Sequence, residues 1–217
     1  MISATLTLKA QFYDLDPMQV VWHVRFFVAF LAATAGTLQG CASSTQADDS
    51  RAFLAPGLQF ATPGPQELGA VVDVAQLITA RYRGEIFVFE TQLSISRDHL
   101  MMVGLDPLGR RAIAITSTAT GITAQTASWL PAFIKPTNIL ADMAVVYWPT
   151  ESVRRGLVGS GAELHSDALQ RTITLKGREI IRVDYEEPQG PSWVGTVRYH
   201  NSAFGYELTL HSMKAAK

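Results

Sequence analysis

The sequence EIFVFETQLSI, residues 85–95, indicates the fold class, because its side chains alternate between apolar and polar character with a period of two. One face is mostly apolar and carries Phe87, Phe89, Thr91, Leu93 and Ile95. The opposite face carries Val88, Glu90, Gln92 and Ser94. Because successive side chains of a strand point to opposite faces, the pattern predicts a β-strand with one buried face and one wet face.

Similar runs lie on both sides of this stretch and are separated by turn residues such as Arg83-Gly84. The predicted strands are residues 76–83, 85–95, 100–105, 110–118, 122–126, 171–176, 179–185, 193–200 and 206–211. Two helices are predicted between them: one over ILADMAVVYWP, stopped by Pro149, and a shorter one from Thr150 to Gly159. About nine strands are too many for a flat open sheet. We therefore predict a mainly antiparallel α+β fold, an incomplete barrel with helices packed into its concave side.

The composition limits what the protein can be. The chain has 217 residues, 18 basic against 19 acidic side chains and 47 % apolar residues, which suits one domain plus a short segment. A near-neutral charge gives no basic face for nucleic acid. No phosphate-binding loop and no nucleophile elbow occur, and His165-Ser166-Asp167 reads as a turn. We predict no catalytic residues, no metal site and no cofactor.

The N-terminal region has the order of a bacterial export signal. Arg25 precedes an uncharged run over residues 26–38, which is too short to span a membrane, and the single cysteine, Cys41, follows. The ending Leu38-Gln39-Gly40-Cys41 resembles a lipobox, which implies a lipid on Cys41, and Ala42 after it implies the outer membrane. A buried helix with a free cysteine is the alternative. We predict a signal segment over 1–40, a lipidated flexible tether over 41–74, rich in Ser, Ala, Pro and Gly, and a folded domain over 75–217.

A second feature of the N-terminus is FYDLDPMQVVWH, residues 12–23. It resembles the opening of the hotdog-fold acyl-CoA thioesterases, and that resemblance implies Asp16 as the catalytic carboxylate with His23 beside it. The likeness covers only residues 8–27 and stops where the uncharged run begins. We therefore interpret it as a remnant and predict that the protein is not an enzyme; a thioesterase using Asp16 and His23 is the alternative.

The body of the chain carries another resemblance. The segments TARYRGEIFVFETQLSI, MMVGLDPLGRRAIAIT, ILADMAVVYWP and KGREIIRVDY resemble a proteobacterial outer-membrane lipoprotein family of unknown function, similar to the LolA and LolB lipoprotein-localisation proteins. The resemblance implies a LolB/LolA-like half-barrel with a helical plug over 75–217. It also implies that Leu108, in the turn Asp106-Pro107-Leu108-Gly109, faces the membrane. The alternative is an ordinary tight hairpin turn.

The expected function follows from these features: a lipoprotein anchored at the periplasmic face of the outer membrane that binds or passes on an acyl, lipid or polyene-like apolar group. The expected partners are outer-membrane lipid and an apolar acyl or lipoprotein acyl ligand, with a transporter or periplasmic carrier protein as a candidate partner. An assembly lipoprotein that binds no lipid is a further alternative. Nine residues are predicted to line an apolar cavity, with ordinary core as the alternative for each: Phe87, Phe89, Ile113, Ile115, Leu140, Met143, Tyr147, Val183 and Tyr185. An open cavity of several hundred Å³ between sheet and helices is the feature that the carrier function requires.

Overall fold

The alternation in residues 85–95 is that of a strand in the structure, with Leu93 and Ile95 buried on one face. The computed structural model describes residues 43–47, 51–131, 133–187 and 193–215. The strands in this part of the chain are β1 (Ser43–Ala47), β2 (Arg51–Ala55), β3 (Leu58–Ala61), β4 (Val72–Tyr82), β5 (Glu85–Ile95), β6 (His99–Leu105), β7 (Arg111–Thr118), β8 (Gly121–Thr126), β9 (Ala162–Ser166), β10 (Gln170–Leu175), β11 (Arg178–Tyr185), β12 (Gly195–Asn201) and β13 (Tyr206–Lys214). The helices are a 3-10 turn (Pro65–Glu67), α1 (Pro136–Tyr147) and α2 (Thr150–Gly156).

Eleven of the strands form a single antiparallel sheet in the order β1-β8-β7-β6-β5-β4-β13-β12-β11-β10-β9. The long pairing of β4 with β13 joins the two meanders, β4 to β8 and β9 to β13, into this sheet. Its outer strands, β1 and β9, do not pair with each other, so the sheet is not closed. The predicted α+β class with one large antiparallel sheet is confirmed.

Helix α1 begins three residues before the predicted run ILADMAVVYWP and ends two residues before Pro149. Pro136 occupies its first turn, where the missing N–H costs no hydrogen bond. Pro149 follows its end, since a proline cannot continue the helix. Residues 140–146 are all buried, and side chains from β4, β12 and β13 hydrogen-bond to α1. The helix therefore lies against one face of the sheet.

The flexible tether predicted for 41–74 is wrong over residues 51–74. Strands β2 and β3 form a hairpin whose Leu54, Leu58 and Phe60 are fully buried. Gly57 makes its turn with a φ of 80°, a conformation that favours glycine. The Ser, Pro and Gly content of the segment hid the short apolar alternation on either side of this turn. The folded part of the chain therefore begins well before residue 75.

The hairpin packs tightly against α2. A Cβ added to Gly156 would lie 2.5 Å from a ring carbon of Phe60 and 2.6 Å from the carbonyl oxygen of Ala61. Only glycine allows so close an approach. The second core layer over the sheet is therefore built from α1, α2 and the hairpin β2–β3 together.

A second difference concerns the predicted turn at His165-Ser166-Asp167. His165 and Ser166 end strand β9, and only Asp167 belongs to the turn, where its carboxylate accepts the backbone N–H groups of Leu169 and Gln170. Strand β9 was missed because it is short and mostly polar. None of the helices in the described part of the chain combines the length and the hydropathy that a transmembrane helix needs.

Candidate functional site: an apolar cavity under helix α1

A cavity of about 620 Å³ lies between α1 and the sheet. Its sheet wall follows the register of β4, β5 and β13, in which Ile78 is opposite Phe89 and Ala80 is opposite Phe87. Leu208 extends this wall on the other side of Ala80. All five side chains belong to the alternating set that points to one face of the sheet. The wall is therefore a direct product of the period-two pattern.

The opposite wall is one face of α1. It contributes Asn138, Ile139, Asp142, Met143, Val146 and Tyr147. These positions recur at intervals of three and four residues, which places them on the same side of a helix. The cavity thus runs along about two turns of α1, from its N-terminus toward its C-terminus.

Aromatic side chains surround the mouth. Phe53 and Phe133 both line the cavity and are 46 % and 47 % exposed. The ring of Phe133 lies 4.5 Å from that of Tyr82 and 6.1 Å from that of Phe87. Lys135 is exposed at the same place and is the one basic residue among the lining residues that the structure describes. Exposed aromatic rings beside an open apolar cavity are typical of the entrance to a ligand pocket.

The structure divides the predicted cavity residues into two groups. Phe87, Phe89, Ile113, Met143 and Tyr147 line the cavity. Ile115, Leu140, Val183 and Tyr185 are buried in the surrounding core instead. These four side chains share the apolar pattern of the first group, and the pattern alone does not separate a cavity wall from packed core.

One of the four, Tyr185, has a distinct structural role at the end of α1. Its hydroxyl donates to the carbonyl oxygen of Val146 at 2.6 Å. The buried guanidinium of Arg171 donates to the carbonyl oxygens of Val145 and Trp148 at 2.5 and 3.0 Å. The last carbonyls of a helix have no partner within the helix, and cationic donors suit its negative end. Arg171 and Tyr185 therefore fix the C-terminus of α1.

The main polar group of the cavity was not predicted from the sequence. Asp142 lies on the cavity face of α1, where Oδ1 accepts the Tyr199 hydroxyl and Oδ2 accepts the Tyr206 hydroxyl, each at 2.6 Å. Burial raises the pKa of Asp142 to about 6, although both phenols lower it by donating to the carboxylate. Burial also holds the pKa of both phenols well above the ordinary value. The signal in the sequence is a lone acidic residue inside the apolar run ILADMAVV.

A second polar group lies farther along α1. The side-chain amide of Gln76 donates to the hydroxyls of Tyr147 and Ser212 at 2.9 and 2.8 Å. Burial raises the pKa of Tyr147, and its ring stacks on Trp193 with 4.1 Å between centroids. This network ties α1 to β4 and β13. Tyr147 therefore lines the cavity with its position fixed from two sides.

Leu108 lies at the same end of the sheet as the cavity mouth. Strands β4, β6 and β8 run in the same direction, so the turns that follow them share one edge of the sheet. Leu108 is 78 % exposed in the turn after β6, and Phe133 follows β8.

The turn that carries Leu108 is held by buried Asp106, which accepts the backbone N–H groups of Leu108 and Arg110. Although burial acts to raise it, the hydrogen bonds and charge of Arg110 bring the pKa of Asp106 below its usual value.

The other predicted positions, Asp16, His23 and the lipid-attachment residue Cys41, lie outside the described residues. Within the described ranges, no three His, Cys, Asp or Glu side chains come together in a way that could hold a metal ion.

Comparison with known proteins places the chain in a family. The model of a family described as "Protein of unknown function (DUF3261)" matches residues 73–214. The chain belongs to the DUF3261 family. The match spans β4 to β13 and so includes α1 and most of the cavity wall. No curated protein matches the sequence.

A comparison of structures finds similarity to the crystal structure of a DUF1329 family protein from Desulfovibrio piger. It is 8 % identical with a TM-score of 0.38, over 69 % of this chain and 87 % of that chain.

Proposed function

We propose that this DUF3261 protein is a non-enzymatic lipoprotein that binds one long apolar chain, acyl, lipid or polyene-like, in the cavity under α1. The observation that supports this function best is the cavity itself, with about 620 Å³ between apolar walls. At the ~30 Å³ that one water occupies, this volume corresponds to about twenty non-hydrogen atoms. Ligand sites of this kind range from about 300 to 1,000 Å³.

The energetics favour a chain ligand over a compact polar one. Each buried methylene contributes about 0.8 kcal/mol, so a chain that fills the cavity gains most of its affinity from the walls. The expected LolB/LolA-like architecture, a half-barrel with a helical plug, belongs to the same proposal.

The anchor and the compartment complete the proposal. Cys41 would carry lipid and hold the chain at the periplasmic face of the outer membrane. The mouth and Leu108 share one end of the sheet, so both would be free to meet outer-membrane lipid, a transporter or a periplasmic carrier protein. Mass spectrometry of protein purified from membranes tests the anchor. We expect a mature chain that begins at acylated Cys41; an intact Met1 would exclude it.

Ligand binding is tested by filling the cavity. Ala80 lies in the sheet wall of the cavity, and Ala80→Phe would place a phenyl ring in the space proposed for the apolar chain of the ligand. The full chain carrying Cys41→Ser, purified without detergent, is titrated with a neutral long-chain fluorescent probe. We expect saturable binding that Ala80→Phe weakens by at least about tenfold, the effect of losing roughly 1.4 kcal/mol.

The matched control is Thr79→Phe, which adds the same ring to the opposite face of β4 at a position that does not line the cavity. This variant should bind the probe like the parent protein. If the Ala80→Phe and Thr79→Phe variants bind the probe equally well, the probe binds outside the cavity under α1. No binding by the parent protein would favour an assembly lipoprotein that holds no lipid.

A further inference from the structure

The carboxylate of Asp142 is unusual for a wall of this kind. It lies one helical turn beyond Asn138 along the cavity face of α1, and only 9 % of the residue is exposed. In the part of the chain that the structure describes, no Lys, Arg or His side chain lies within 4.0 Å of it. A buried carboxylate without a cation is costly, and natural proteins pair such groups.

The hydrogen bonds around Asp142 leave room for a further donor. An ionised carboxylate offers about four acceptor sites, and the two phenols occupy one site on each oxygen. Asn201 lies beside both phenols and donates to the carbonyl oxygen of Leu54 at 2.9 Å. Side chains of β12 and β13 therefore fix the position of the carboxylate. Each of its oxygens keeps an unused acceptor site, and Asp142 lines the cavity.

We propose that the cavity takes an amphipathic ligand with a protonated amine at its polar end, and that Asp142 is the counter-ion that receives this amine. This inference rests on the proposed function and names the chemical class of its ligand. Tyr199 and Tyr206 are positioning residues, since each donates to and so fixes one carboxylate oxygen of Asp142.

Electrostatics favour an amine over the other polar ends that a long chain can carry. A protonated amine supplies three donors and the missing positive charge, and hydrogen bonds to charged groups are the stronger ones. An alcohol supplies one neutral donor. A fatty-acid carboxylate would place a second negative charge beside Asp142, which requires one of the two acids to take up a proton.

The experiment compares three ligands with the same chain: dodecylamine, dodecanol and dodecanoate. Each displaces the neutral fluorescent probe from the full chain carrying Cys41→Ser at pH 7.5, where the amine is protonated. We expect dodecylamine to bind at least about tenfold more tightly than dodecanol, and dodecanoate to bind most weakly. In Asp142→Asn the preference for dodecylamine over dodecanol should fall to about twofold or less, whereas Thr79→Phe, altered outside the cavity, should keep the full preference.

A pH series tests the same point without any variant. The groups that face Asp142 are the phenols of Tyr199 and Tyr206, which stay protonated across this range, so the carboxyl is the group that titrates. The preference for amine over alcohol should shrink as the pH falls from 7.5 to 5. A preference that does not change with pH, or that survives in Asp142→Asn, would overturn the proposal. Probe binding without amine preference would refute this inference alone, whereas no binding of any chain would refute the proposed function as well.

Discussion

Replacing Asp142 by asparagine should make the protein more stable at neutral pH. The raised pKa of Asp142, about 6 against an ordinary 3.8, means that the folded protein binds this proton more tightly than the unfolded chain. The two values differ by about 2, and each tenfold change in proton affinity corresponds to about 1.4 kcal/mol, so the ionised carboxylate costs the folded state about 3 kcal/mol.

The sign of the pH dependence follows from the direction of this shift. Because the folded-state pKa of Asp142 lies above the unfolded value, the stability of the parent protein falls as the pH rises from about 4 to about 6. Above about pH 6 the full cost of ionising Asp142 destabilises the folded state. Asparagine keeps the shape and both contacts, since its oxygen can accept from Tyr199 and its amide can donate to the oxygen of Tyr206. The variant should therefore avoid the penalty without losing the cluster.

Urea unfolding of both proteins at pH 4.5 and pH 8 measures this effect. The stability of Asp142→Asn relative to the parent protein should rise by about 2 kcal/mol between the two pH values, which is the part of the penalty that develops in this interval. Using the difference between the proteins removes the contribution of every other carboxyl group. Asp73→Asn, on the exposed side of β4, controls for the loss of one negative charge. A relative stability that is the same at both pH values would show that ionised Asp142 does not destabilise the folded protein.

Three further predictions concern the fold and the mouth. Phe60→Ala should lower the free energy of unfolding by about 3 to 5 kcal/mol in a urea titration, because the ring is completely buried. An effect under about 1 kcal/mol would show that residues 51–61 are a flexible tether and not part of the core. Arg171→Met should destabilise the protein by roughly 2 to 4 kcal/mol, since it leaves buried carbonyl groups of α1 without donors, and a neutral result would contradict the assignment of Arg171 to the end of the helix. Leu108→Asp should slow transfer of the bound probe to lipid vesicles while leaving the affinity for the probe unchanged, because Leu108 is exposed and does not line the cavity. Transfer at the parent rate would show that Leu108 takes no part in it.

The sheet was predictable because its information is local. The period-two alternation in residues 85–95 fixes which side chains face inward, and the turn residues at Arg83-Gly84 fix where the chain reverses. The same alternation identified Phe87 and Phe89 as inward-facing, and both line the cavity. The hairpin of β2 and β3 was missed because its strands are only five and four residues long and lie within a segment whose composition is typical of linkers.

The polar part of the site could not be predicted in the same way. Asp142 is separated from its partners Tyr199 and Tyr206 by 57 and 64 positions in the chain, and no local pattern connects residues so far apart. Helical spacing places Asp142 on the same face of α1 as Asn138. Which strands lie opposite that face depends on the pairing of β4 with β13, which is a long-range contact. Likewise, Val183 and Ile113 look alike in sequence, and only the packing of α1 separates core from cavity.

The proposed function requires that one long apolar ligand occupies the cavity under α1. Native mass spectrometry of the full chain carrying Cys41→Ser, after incubation with dodecylamine, counts the bound molecules directly. We expect one bound ligand for each protein chain, retained by Thr79→Phe and lost from Ala80→Phe. A ligand count that is zero in the parent protein, or equal in the parent and Ala80→Phe proteins, would rule out binding in this cavity.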